Sequence, residues 1–147
     1  MSLKDKLMQD LKTAMKEKNK IKKSVITMIR AAIKQYEVDN RTEINDDGVI
    51  EIIAKQLKQK KDAIEEFKKG DRQDLVDETE KEIEILLQYL PKQLSEDEIR
   101  VIVKETIEKH NASSPKDMGK VMGALMPKMK GKADGKLVSK IVKELLS

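Results

Sequence analysis

Residues 50–91 read IEIIAKQLKQKKDAIEEFKKGDRQDLVDETEKEIEILLQYLP, and the periodicity of this stretch sets the architecture. Ile50, Ile53, Leu57, Ile64 and Phe67 recur in three- and four-residue steps interrupted at Lys60, the spacing of one apolar helix stripe. Gly70 falls where a left-handed C-terminal cap is wanted. Asp71 reads as the cap of the next helix, with Asp74 three residues on. Val76, Ile83, Leu86, Leu87 and Leu90 form that helix's stripe. Two long amphipathic helices joined at Gly70-Asp71 predict an antiparallel helical hairpin, ended by Pro91.

Outward from the hairpin the period stays helical. Toward the N-terminus, Leu3, Leu7, Leu11, Ala14 and Met15 form a stripe behind a Ser2 cap. Lys16 to Lys20, with Asn19, breaks it. Ile21, Val25, Met28, Ile29, Ala32, Ile33 and Tyr36 make a second stripe. Residues 40–48 read as a loop ending in a helix cap. Toward the C-terminus, Ser95 and Glu98 form a capping box ahead of Ile99, Ile102, Val103 and Ile107, and His110-Asn111 ends that helix. Ser114-Pro115 opens a short helix that stops near Pro127. Asp134 caps a last helix carrying Leu137, Val138, Ile141, Val142, Leu145 and Leu146. The expectation is an all-α protein. Residues 1–92 form an N-terminal bundle of about four helices, and residues 93–147 a three-helix subdomain.

The chain has 147 residues, of which 38% are hydrophobic and 39% charged. It holds one His, no Cys, no Trp, two Tyr and one Phe, so the core must be Leu, Ile, Val, Met and Ala. Disulfides, thiol nucleophiles, thiolate metal sites and multi-histidine metal motifs are excluded. No uncharged stretch is longer than Ile85 to Pro91, far short of the ~18 residues of a membrane span. The N-terminal MSLKDKLMQDLK has no apolar core of the kind a secretory signal needs. A soluble cytoplasmic protein with no membrane contact is expected, needing neither cofactor nor metal.

The formal net charge of +4 hides three territories. Residues 1–35 sum to +7, residues 36–110 to −8 and residues 111–147 to +5. Basic ends around an acidic middle suit a polyanionic partner. The N-terminal lysines recur on the outer faces of amphipathic helices and read as solvated surface. For the C-terminal territory a polyanion contact and a solvated face are equally good readings.

Catalytic constellations are poor. His110, the only imidazole, sits at a helix C-terminus, where it suits the last carbonyls and the dipole better than base catalysis. Asp46-Asp47-Gly48 lacks calcium-loop spacing. Gly131-Lys132-Ala133-Asp134-Gly135-Lys136 is not a Walker A motif, although it sets glycines and lysines before a helix N-terminus, where backbone amides can bind phosphate. On spacing alone a flexible lysine-bearing turn accounts for it slightly better. Met118, Met122, Met126 and Met129 form a stripe that reads as core before it reads as a partner groove. Gly119 and Gly123, four apart, would let a helix or a backbone approach closely. Tyr36, Phe67 and Tyr89 are scattered, and Tyr36 and Phe67 lie in core-like stripes, so base stacking is a poor fit. The four arginines end at Arg100, which weakens sequence-specific DNA reading. Lysines without stacking platforms suit the phosphates and shape of folded RNA.

The run from Asp117 to Lys136, DMGKVMGALMPKMKGKADGK, closely resembles the GatB/YqeY family. Tyr89-Leu90-Pro91-Lys92-Gln93-Leu94-Ser95 resembles that family's junction. Ser24-Val25-Ile26 and Leu57-Lys58-Gln59-Lys60-Lys61-Asp62 are similar to its free-standing YqeY-like branch. The resemblance implies a module like the tail of the B subunit of the glutamine-dependent aspartyl/glutamyl-tRNA amidotransferase, which recognises the tRNA body. It also implies an association with carbon–nitrogen ligation using glutamine as amide donor. The chain resembles only the tail, so no catalysis by itself is expected and no catalytic residue is assigned. Carried over, Lys120, Lys128, Lys130, Lys132 and Lys136 would contact phosphates, and Gly131 and Gly135 would let backbone amides approach RNA. The implied partners are tRNA and a tRNA-dependent amidotransferase or another tRNA enzyme. A helical protein-interaction adaptor built on the hairpin of residues 47–90, without an RNA role, is the competing reading.

Overall fold

A computed structural model describes residues 2–147 as seven α-helices, one short 3₁₀ turn and no strand. The chain divides into two compact units, residues 1–90 and 91–147.

The first unit holds α1 (Leu3–Lys16), α2 (Lys20–Asn40), α3 (Asp46–Lys69) and α4 (Gln73–Leu87). Ser2 Oγ, Asn19 Oδ1 and Asn45 Oδ1 each accept an amide of the following turn, of Asp5, Lys22 and Gly48 respectively. α3 thus begins at Asp46, inside the stretch read as loop. Its core joins Leu7, Val25, Ile26, Ile29, Ile33, Ile53, Leu57 and Leu86 with Val49 and Tyr89.

Four side chains assigned to these apolar stripes instead face solvent: Met15 at 54%, Met28 at 58%, Tyr36 at 40% and Leu87 at 38% exposure. α2 packs against α1, α3 and α4, so its buried face widens to take in Ile26. Beyond Leu86 the chain tightens into i→i+3 bonds, Tyr89 N to Leu86 O and Leu90 N to Leu87 O. The change of phase turns Tyr89 inward and Leu87 outward. The aromatic that is buried is therefore Tyr89, at 4% exposure, and not Tyr36.

The hairpin turn also differs from its expected form. Gly70 has φ −87, and the left-handed residue is Asp71, at φ 55. Asp71 N donates to Lys68 O and Arg72 N to Phe67 O, the paired bonds of a Schellman motif. Asp71 closes α3 and does not cap α4. α4 has no side-chain cap, and the Arg72 guanidinium bonds the carboxylate of Asp74 instead.

The second unit holds α5 (Glu96–Lys109), a 3₁₀ turn (Pro115–Asp117), α6 (Met118–Met129) and α7 (Gly135–Leu146). Its core is Ile99, Val103, Val121, Leu125, Met129, Val138, Ile141, Val142 and Leu146. The Ser95–Glu98 capping box is formed in both directions. Pro115 opens the 3₁₀ turn rather than the helix proper, because Asp117 folds back to accept the Ser113 amide. α6 passes through Pro127 to Met129, since the buried Met129 anchors the last turn and the missing amide lies on an exposed residue. Of the methionine stripe, Met129 is core, Met118 and Met122 flank it, and Met126 is 43% exposed.

Candidate nucleic-acid interface

The basic run occupies the turn between α6 and α7. Lys130 has φ −56 and ψ 121 and Gly131 has φ 73, while Lys132 N donates to Met129 O at 2.8 Å. This is a type II turn, whose third position requires a positive φ. The turn is tied down from the segment before α5. Gln93 Nε2 donates to Gly131 O at 2.7 Å and to Pro91 O at 3.0 Å, and Leu94 N donates to Lys132 O at 2.9 Å. Two carbonyls of the turn are thus fixed, and the turn is not the flexible loop its composition suggests.

On this scaffold Lys128, Lys130, Lys132 and Lys136 are exposed. Lys120 is separate. It lies near the start of α6, and its Nζ reaches His110 O at 3.4 Å, at the C-terminus of α5. The two glycines serve otherwise than expected. Gly131 is buried, and its lack of a side chain answers the turn rather than a ligand. Gly135 opens α7 half-buried, and the amide of Lys136 is already bonded to Asp134 Oδ1 at 3.0 Å. The N-terminus of α7 is therefore capped by its own carboxylate, which disfavours a phosphate there. What the turn offers a polyanion is its lysine side chains.

Gly119 and Gly123 do not admit a neighbouring helix. Both are exposed, with nothing within 4 Å of where a Cβ would stand.

Sequence reasoning missed Gln93 and Lys140. Gln93 is the positioning residue of the turn, acting across 38 residues of chain, and only its place in the junction run hinted at it. Lys136, Lys140 and Lys143 follow i, i+4, i+7 spacing and are all exposed, so they extend the basic surface along α7. On α5, Arg100 bonds Glu144 and Glu96, which raises its pKa, and bonds from Ser95 lower that of Glu98.

His110 closes α5 through another Schellman motif, with Asn111 left-handed at φ 51. Among the described residues no group of His, Cys, Asp and Glu converges as metal ligands would. No described helix is long and apolar enough to cross a membrane.

Two small helical units, the second bearing a pinned lysine-rich turn, define the class: an all-α protein with a basic interhelical face. The chain belongs to the YqeY family, since the family described as Yqey-like protein matches residues 4–146. Its curated relatives include the Altered inheritance of mitochondria protein 41, mitochondrial, of three fungi. The Kluyveromyces lactis protein is 40% identical over 84 residues, covering 56% of this chain and 45% of the relative. That of Lachancea thermotolerans is 36% identical over 112 residues, covering 74% and 60%. That of Pyrenophora tritici-repentis is 33% identical over 123 residues, covering 80% and 67%. The chain thus spans about half the length of the first two relatives.

These relatives overturn the expectation of a cytoplasmic protein, because their names carry a mitochondrial address. The physical reason is that a charge-rich amphipathic composition names no compartment. A charged helical protein is equally at home in any aqueous compartment.

Proposed function

We propose that the second unit is a tRNA-binding accessory module, working beside a tRNA-dependent amidotransferase or another tRNA enzyme. The observation that carries the reading is the exposure of Lys128, Lys130, Lys132 and Lys136 around a turn held in place by Gln93 and Leu94. A row of lysines on a backbone already fixed spares the turn its own ordering cost on meeting a phosphate backbone, leaving only the side chains to be ordered. Without aromatic platforms beside it, such a row reads shape and charge rather than base identity. The choice of tRNA among polyanions rests on the resemblance of residues 117–136 to the amidotransferase tail.

The adaptor reading has less support. Ile53, Leu57, Ile64, Val76 and Leu86 of the hairpin are buried within their own unit, which leaves little of the stripe for a partner.

The test is a salt-resolved titration against bulk tRNA with duplex DNA as control, repeated on the variant Lys128→Ala, Lys130→Ala, Lys132→Ala. Binding to tRNA should exceed binding to DNA near physiological salt. The variant should bind more weakly, its salt slope shallower by roughly 0.7–0.9 for each phosphate it no longer neutralises. Weak association erased by salt for both nucleic acids would reduce the lysines to a solvated face.

A further inference from the structure

A groove of about 570 Å³ runs between α1 and α2 in the first unit, away from the lysine turn. Its floor is Leu7 and Ile33, and Met8 and Ala31 stand exposed along it. One end is closed by the Lys4–Glu37 ion pair at 2.7 Å. Glu37 Oε2 also accepts the Ile44 amide at 3.0 Å, and the charge of this carboxylate is matched by Lys4. Arg30 and Lys34 line the groove one helical turn apart, and among the described residues neither side chain has a hydrogen-bond or ion-pair partner. Asp5 is the remaining acid on the rim.

We propose that this groove binds an amphiphilic anion, a single aliphatic chain ending in a carboxylate. The charge left over at the groove is positive, and Arg30 is half-buried against its wall. A guanidinium so placed gives a carboxylate charge-assisted bonds stronger than those it makes in open water. The groove runs along α2 from Thr27 to Glu37, about 15 Å at the helical rise, and Leu7, Met8, Ala31 and Ile33 are its apolar lining. That length accepts a medium aliphatic chain laid along α2. The volume lies within the range of small-ligand sites, whereas three turns of open groove offer little area to a macromolecule.

The experiment titrates the full chain with decanoate and decyltrimethylammonium below their micellar concentrations and decan-1-ol below its solubility limit, following the methyl resonances of Leu7, Met8 and Ile33. Decanoate should shift these methyls saturably and bind more tightly than the alcohol, with the ammonium weakest. Arg30→Gln should weaken decanoate about tenfold, the worth of one charge-assisted bond, and leave the alcohol unchanged. Ala31→Leu, at an exposed helical position, should fill the groove and block both. Equal affinity for the three headgroups, indifference to Arg30→Gln, or shifts centred on Val121 and Leu125 would each overturn the proposal. So would an acidic amphipathic peptide that occupies the groove where decanoate does not.

Discussion

At φ 55, Asp71 holds a backbone that glycine adopts without steric penalty, while its neighbour Gly70 sits at φ −87. The glycine of this turn is one residue away from where stereochemistry wants it. Asp71→Gly should therefore stabilise the protein by about 1 kcal/mol. Gly70→Ala should be neutral or stabilise by about 0.4–1 kcal/mol, because an added Cβ would meet nothing nearer than 3.7 Å. Gly131→Ala should lose roughly 1–2 kcal/mol, since φ there is 73. Urea denaturation of the three variants checks the set, and a loss in Gly70→Ala would mean that Gly70 carries the left-handed conformation after all.

Helices, caps and the hairpin were legible because they obey local rules. The stripes around Ile53 and Leu86, the Ser2 and Asp134 caps and the Ser95–Glu98 box each involve residues close in sequence. What escaped depends on packing: Ile26 is buried because α2 has three neighbours, and Tyr89 because the last turn tightens. The candidate site divides likewise. Its lysines are visible in composition, but the bond from Gln93 to Gly131 O is a tertiary fact. α6 carries the sharpest conflict between local and tertiary demands. Gly123 weakens the helix interior and Gly119 its first turn, yet open space surrounds both, so folding does not account for them. Gly123→Ala should raise stability by about 1 kcal/mol, and Gly119→Ala, in the first turn, by less. If a phosphate backbone approaches this face, the double variant should also bind tRNA more weakly despite melting higher. Thermal melts beside the tRNA titration separate the two effects. Higher stability with unchanged binding would remove the glycine face from the interface.

For the molecule as a whole, proton linkage distinguishes the two units. In the first, burial and then the hydrogen bond to Asp10 push the Tyr89 phenol up, and the bond to Glu37 raises Lys4. Both groups bind protons more tightly folded than unfolded. Their contributions are complete below about pH 10 and are lost as pH climbs toward the folded values. The phenol dominates, since it is 4% exposed while the Lys4 ammonium is well solvated and screened. Glu37 in the first unit and Glu98 in the second lie below the ordinary carboxylate value of 4.5. Their contributions are present above that value and fade as pH falls through the folded ones, so acid should weaken both units. Alkali should act differently. Above pH 10 the methyl resonances of Leu7, Ile29 and Ile53 should lose native dispersion before those of Val103, Leu125 and Ile141, whose unit has no Tyr. Tyr89→Phe should lose roughly 1–2 kcal/mol at neutral pH, the donor to a carboxylate being gone. Its stability should then fall less steeply between pH 10 and pH 12 than that of the parent chain. A variant whose alkaline limb remains as steep would assign that limb to the lysines rather than to the buried phenol.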